Sequence, residues 1–505
     1  MARRWGIARR GTILRGLGPG AAAGILLAAC GRVAAGTDAA PGVLVIAIDG
    51  LRADHVGAYG YDRPTTPTLD RLAAEGLHFA QAFANSPSLL PSHVSLLTGG
   101  EPFVARRYLP AEIDLAVERR WHLPAAVPRL AVEFLAHGHD TAAFVDHPHL
   151  APVFGFDVGF ERYVESAGKE AGATHLCGEL MEWLRGVARD RPWFAYLHLH
   201  DLERAWSAPD PAWERYFPPR PGMEDVPPVG TTDDVFFAVP FSRWRGGSRS
   251  LGEYEALYDG HLRRLDEAID RLLGSLAATR RLDSTTIVVV GSHGVQFGEA
   301  GMLLAAGRYS MADLHVPWIL RPRPGLALAH PPGAAIETLA SLSDLAPTLL
   351  ELAGIAVPRG MHGVSQAAEV TGPSPERARR TYAFASCGIQ EGGVLVGERY
   401  CYEFLLPGEV ETPILRRSWF GEGEGHEAAR QIRFYDRLAH PFPSLGEGLR
   451  EGTPAEFRTF VDAAVLWYED MELLRRVLQP RSVSAEPVSP EKVERLREKG
   501  LLAGK

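Results

Sequence analysis

The chain is 505 residues long, 46% apolar and 23% charged, with a formal net charge of −9. Such a chain can fill one large α/β domain with a smaller one appended, and its acidic balance argues against nucleic acid as a partner. Four cysteines without C-x-x-C spacing imply neither a disulfide framework nor a zinc knuckle.

Residues 1–29 read as an export signal. Arg3, Arg4, Arg9, Arg10 and Arg15 precede every acidic residue, and the apolar stretch from Ala21 to Cys30 is too short to span a bilayer. Leu27-Ala28-Ala29-Cys30 resembles the bacterial lipobox, in which the cysteine is lipidated and becomes the mature N-terminus. The expectation is an exported bacterial lipoprotein on the periplasmic side, anchored to a membrane through Cys30, with residues 30–42 as a tether. Gly31, with no Asp after the cysteine, points to the outer rather than the inner membrane. Both Sec and twin-arginine export stay open. Removing residues 1–29 takes away five arginines and moves the formal charge from −9 to −14.

Val43 to Ile48 is an unbroken apolar run bounded by Gly42 and by Asp49-Gly50. A run this short suits a strand covered on both faces, as in a parallel sheet, delivering Asp49 to the carboxyl end where such sheets bind ligands. Asp49 is placed either for metal or polar-ligand work or to cap the turn that follows. Thr66 to Gly76 predicts a helix, with Thr66 as N-cap, Pro67 at the first position, Gly76 closing it and Leu69, Leu72 and Ala73 on one face. Leu130 to Ala136 and His175 to Val187 read as helices, and Thr141 to Val145 and Trp193 to Leu199 as strands. Tyr254 to Leu276 reads as a long amphipathic helix ahead of the strand Ile287 to Val290. Residues 206–252 are rich in Pro, Gly and aromatics and read as an insertion loop over the site. From about Glu376 the pattern changes to short strands, Thr381 to Ser386, Gly393 to Leu406 and Arg433 to Leu438. A helix from Pro454 to Leu478 follows, and a charged tail, residues 479–505, carries a short helix begun at Ser489-Pro490-Glu491. Cys387 and Cys401, on neighbouring strands, are the expected pair if any disulfide forms.

Several stretches in order carry a family resemblance: I-D-G-L-R-A-D-H at Ile48 to His55, T-P-T-L-D-R-L-A at Thr66 to Ala73 and P-S-H-V-S-L-L-T-G at Pro91 to Gly99. P-W-F-A-Y-L-H-L at Pro192 to Leu199, G-S-H-G at Gly291 to Gly294, V-P-W-I-L at Val316 to Leu320 and S-D-L-A-P-T-L-L-E-L-A-G-I at Ser343 to Ile355 complete them. From Val43 to Val364 the chain resembles the sulfatase family of the alkaline phosphatase superfamily. The resemblance implies an α/β sandwich with a mostly parallel central sheet over residues 43–365, followed by a small C-terminal sheet-plus-helix subdomain over residues 366–478.

The resemblance also implies a nucleophile at a helix N-terminus, a divalent metal held by carboxylates, and acids that steady the leaving oxygen. The nucleophile position, two residues before Pro91, is Leu89, which cannot attack. The metal set keeps Asp49 and His293, with Ser292 in place of the family's Asp, too little charge for calcium or magnesium and too few ligands for zinc. The acid positions read Glu203, Ala300 and Ala305. The positive field that remains is that of the helix start near Ser92 and of Arg52.

Two functions compete. The favoured one is a catalytically inactive sulfatase-like lipoprotein retained for binding or assembly, with no cofactor, toward a sulfated or phosphorylated ligand or a protein partner. The alternative is an active hydrolase or transferase on sulfuric or phosphoric esters. It would use relocated groups such as Ser88, His198, His200, Glu203 and Asp313 and a divalent metal (Ca, Mg, Mn or Zn).

Overall fold

Strand β1 (Gly42–Ile48) is buried along its whole length because both of its faces are covered. Val43, Val45 and Ala47 enter one apolar core and Leu44, Ile46 and Ile48 the other, the alternation that a pleated strand imposes. The computed structural model describes residues 39–102, 123–166, 172–204, 217–219, 251–299, 303–304, 309–372, 380–386, 392–405, 433–439, 451, 453–478 and 489–498. The export signal, Cys30, nearly all of the tether and most of the 206–252 loop lie outside these residues.

In chain order, β1 is followed by helix α1 (Pro67–Glu75), strands β2 (Leu77–Phe79) and β3 (Ala82–Phe83), and helices α2 (Leu89–Thr98) and α3 (Leu130–Ala136). Strands β4 (Asp140–Val145) and β5 (Arg162–Glu165), helix α4 (Ala173–Gly186), strand β6 (Trp193–Leu199), the single turn α5 (Asp201–Arg204) and the long α6 (Leu251–Ala278) come next. Strands β7 (Thr285–Gly291), β8 (Trp318–Arg321), β9 (Ala335–Ile336) and β10 (Ala340–Ser341) and helix α7 (Leu345–Leu352) complete the main domain. Eight strands form one sheet in the order β5-β4-β6-β1-β7-β8-β2-β9, and β10 pairs with β3 in a small second sheet. The central pairs β4·β6, β6·β1 and β1·β7 are parallel, while β8 runs antiparallel to both β7 and β2. Helices α2, α3 and α7 cover one face and α1, α4 and α6 the other. This is the mostly parallel sandwich expected from the sequence.

Helix α1 starts where the sequence places it, but Thr66 does not cap it with its side chain. The Thr66 hydroxyl accepts from the Gly57 N–H, and the carboxylate of Asp266 on α6 instead takes the Thr68 and Leu69 N–H groups at 2.9 to 3.1 Å. A helix start leaves such donors orphaned, and here a neighbouring helix supplies the acceptor.

The C-terminal region differs from expectation in one respect. Gly393 to Leu406 is not one strand but two, β12 (Gly392–Val396) and β13 (Tyr400–Leu405), joined by a turn in which the Gly397 N–H donates to Tyr400 O at 2.9 Å. With β11 (Ala383–Ser386) and β14 (Arg433–Asp436) they make an antiparallel sheet in sequence order. Helix α8 (Pro454–Leu478) packs Phe460, Val461, Ala464 and Val465 against Leu395, Tyr402 and Phe434. The opposite face, with Ala385, Val394, Val396 and Tyr435, is continuous with the main core. Cys177 and Cys401 are buried free thiols, and Cys387 lies outside the described residues. No helix among the described residues is long and apolar enough to cross a membrane.

Candidate functional site

The parallel register brings three segments level at the carboxyl end of the sheet. Ile48 lies opposite both Leu199 and Gly291, so Asp49, His200 and Ser292 follow at one height. Backbone bonds extend the ladders by a step, Asp49 N–H to Leu199 O at 3.0 Å and Ser292 N–H to Ile48 O at 2.9 Å. On the far side of β6, Phe144 lies opposite Leu197, which carries Asp146 and His147 to the same rim. Gly50 then turns the chain with φ +72°, a conformation in which side chains are strained.

The Asp49 carboxylate is fully buried and collects four donors. Oδ1 accepts from His93 Nε2 at 3.0 Å and from Ser292 Oγ, and Oδ2 accepts from His198 Nε2 at 2.7 Å and His200 Nδ1 at 2.8 Å. Those four use all of the roughly four lone-pair sites that a carboxylate offers. The Asp146 N–H donates to His198 Nδ1 at 3.1 Å, which fixes the neutral ring's proton on Nε2. The Tyr196 hydroxyl lies 2.5 Å from His93 Nδ1. Ser292 gives its single proton to Asp49 and so accepts from His293 Nδ1 at 2.8 Å. The other nitrogen of His293 faces Glu203 Oε1 at 3.6 Å.

Burial alone would raise the Asp49 pKa, yet the charge of His198 and the hydrogen bonds from His198, His200 and His93 hold it well below the ordinary value. Burial outweighs the pull of Asp49 and pushes His198 down to about 4. Desolvation also lowers His200, but its bond to Asp49 outweighs this and the net shift is upward. His147, its ring centroid 4.5 Å from those of both His149 and His200, is pushed down to about 3 by burial and then by these neighbours. The centre is one carboxylate wrapped in imidazoles.

Leu89 is the first residue of α2, half-buried and packed against the core. Ser88 is the N-cap, and its hydroxyl makes no hydrogen bond among the described residues. Ser92 Oγ donates to Ser86 O at 2.9 Å as part of the buried scaffold. Arg52 does not supply the expected positive field. Its Nε and Nη2 lie on Asp54 at 2.8 and 2.7 Å, and its Nη1 on Glu299 at 2.8 Å. Two carboxylates thus offset the one guanidinium. Asp313 is buried, accepting from Gln296 Nε2 and, at 3.3 Å, from Ser310 Oγ. Ala300 and Ala305 lie outside the described residues.

The family model for sulfatases matches residues 41–355. The chain belongs to the sulfatase family. It is 24% identical over 384 residues to an arylsulfatase of Clostridium perfringens, covering 64% of this chain and 77% of that one. It is 25% identical over 421 residues to a Delta 4,5-hexuronate-2-O-sulfatase of Bacteroides thetaiotaomicron, covering 76% and 84%. Among solved structures it resembles a phosphonate monoester hydrolase of Silicibacter pomeroyi with a TM-score of 0.62 at 18% identity, over 89% of this chain and 98% of that one. The alkaline phosphatase-like fold is what this chain shares with its solved neighbours.

Sulfatases typically use a divalent metal, and the residues here do not fit the usual hard ion. Calcium takes about six to eight oxygen ligands and magnesium an octahedron of them, whereas among the described residues the groups bonded together here are one carboxylate and one hydroxyl with imidazole nitrogens. Sequence reasoning counted only Asp49 and His293 as ligand remnants. In the fold His293 reaches Asp49 through Ser292, its Nδ1 being 4.0 Å from Oδ1, while His93, His198 and His200 bond Asp49 directly. His93 was missed altogether. The signal was its position one turn after Leu89, at i+4, which turns it to the same side of α2 as the nucleophile position. His147 and His149 were missed because Asp146-His147-Pro148-His149 follows a strand that the resemblance does not feature.

Proposed function

We propose that this sulfatase-family chain is an exported, lipid-anchored protein that no longer hydrolyses sulfuric or phosphoric esters and has kept the fold for binding. The observation that carries this reading is Leu89 at the start of α2, seated against the core where a reacting group would stand. Loss of a principal nucleophile alone costs on the order of a million-fold in rate. The relocated alternative gains little support. Ser88 contacts no base among the described residues, and Asp313 is held by Gln296 and Ser310. With Arg52 neutralised by Asp54 and Glu299, the site suits groups drawn to a carboxylate and imidazoles better than it suits a sulfate.

The test is turnover of aryl sulfates and aryl phosphates by the purified protein beside an active arylsulfatase, with no rate above buffer expected. Turnover that Asp49→Ala abolishes would overturn the reading. Retention in the membrane fraction that disappears in Cys30→Ala is the corresponding result for the anchor.

A further inference from the structure

We propose that the Oδ2 edge of Asp49, together with His198 Nε2 and His200 Nδ1, is a binding site for a zinc-class divalent transition ion, distinct in ligand chemistry from a hard-ion sulfatase centre. The three atoms lie within 4.8 Å of one another, with Oδ2 2.7 Å from one nitrogen and 2.8 Å from the other. A tetrahedral zinc with bonds of about 2.0–2.1 Å holds its ligand atoms roughly 3.3 Å apart. The two contacts to Oδ2 therefore have to open by about half an ångström.

The two edges of the carboxylate have different partners, and that division supports the assignment. His93 and Ser292 hold Oδ1 and fix the orientation of the group, as outer partners of metal-binding carboxylates do. Oδ2 meets only imidazoles, and both come from the end of β6, at His198 and His200. Among the described residues no lysine or arginine contacts Asp49. An entering cation would displace no cationic side chain.

The protons have somewhere to go. His200 makes no hydrogen bond through Nε2 among the described residues, so its proton can move from Nδ1 to Nε2 when Nδ1 takes a metal. His198 must give up the 3.1 Å bond from the Asp146 N–H, which coordination breaks together with the two hydrogen bonds to Oδ2. Imidazole and carboxylate donors suit zinc and its neighbours, not calcium or magnesium. Three protein ligands with a fourth position open is a known zinc arrangement. His200 retains 16% side-chain exposure and gives that position a way in.

The full chain, stripped by chelator dialysis, is to be titrated with zinc chloride by equilibrium dialysis and elemental analysis. Cobalt(II) absorption in the visible range reports the ligands. One equivalent of zinc is expected, undisturbed by about a thousand-fold excess of calcium chloride, together with cobalt bands typical of nitrogen ligation. Asp49→Asn and His200→Asn should each weaken zinc binding at least about ten-fold and abolish the zinc-induced rise in Tm, while His149→Asn does neither. If Asp49→Asn does not fold, His200→Asn, at the partly exposed rim, decides alone. Absence of zinc uptake, displacement by calcium, or full affinity in His200→Asn would overturn the proposal. Ester turnover would overturn only the functional reading above, so the two fail separately.

Discussion

Among the described residues, two groups each bring three metal-capable side chains together, and they are compensated in opposite ways. Around Asp259, beside His55 and Glu255, Oδ1 lies 2.9 Å from His55 Nδ1. Oδ2 accepts from the Tyr61 hydroxyl at 2.7 Å and from Arg63 Nη1 at 2.8 Å. Around Asp49 the partners are three imidazoles and a hydroxyl. A guanidinium keeps its proton at any pH a protein survives, whereas an imidazole exchanges its proton between two nitrogens or loses it. Proximity of ligand atoms is therefore not what distinguishes an ion site from a structural knot. The distinction is whether the compensating charge can leave.

The largest expected effect comes from removing the fixed charge. Arg63→Met leaves Asp259 buried without its permanent cation and should cost about 3–5 kcal/mol in urea unfolding. A loss under about 1 kcal/mol would show that Arg63 is not the compensating group. The same variant sharpens the comparison, because zinc should then stabilise the Asp259 group as it does not in the parent.

Glu101 is a third case. Its Oε2 accepts from Asn85 Nδ2 at 3.1 Å, and burial, opposed by the nearby charge of Arg380, pushes its pKa up to about 7. Because the folded value lies above the ordinary one, Glu101 favours the fold when protonated, and that contribution is lost as pH rises through about 7. Glu101→Gln should therefore be more stable than the parent at pH 8, by up to about 3 kcal/mol, with the gap shrinking toward pH 5. A gap independent of pH would exclude Glu101 as the group responsible. The smallest effect is expected from Ser292→Ala, which removes one donor from Asp49 and the acceptor of His293. Thermal unfolding at pH 7 should show a loss of about 1–2 kcal/mol. No measurable loss would mean that the other three donors suffice.

Much of the fold was legible because the strands at its centre are buried on both faces and read as bare apolar runs. Trp193–Leu199 and Leu130–Ala136 lie where the sequence puts them, and the long helix is extended by a few residues at either end. The hairpin at Gly397 was missed because the strands on either side of it read as one continuous segment. The site was legible only as a set of losses. Asp49, Leu89, Ser292 and Glu203 could be placed by motif, but the convergence of His93, His198 and His200 depends on register and on the face of a helix. Arg52 misled for a related reason, since Glu299 lies 247 positions further along the chain.

The placement of β1 has a consequence for how the chain folds. Its two sheet neighbours are residues 193–199 and 285–291, so closing the middle of the sheet requires very long loops, whose entropy is lost before the contacts compensate. Until both flanks arrive, Asp49 is an ordinary hydrated carboxylate. Afterwards it is a dry one among imidazoles. The centre therefore exists only once residues 193–200 and 285–292 have both closed on β1.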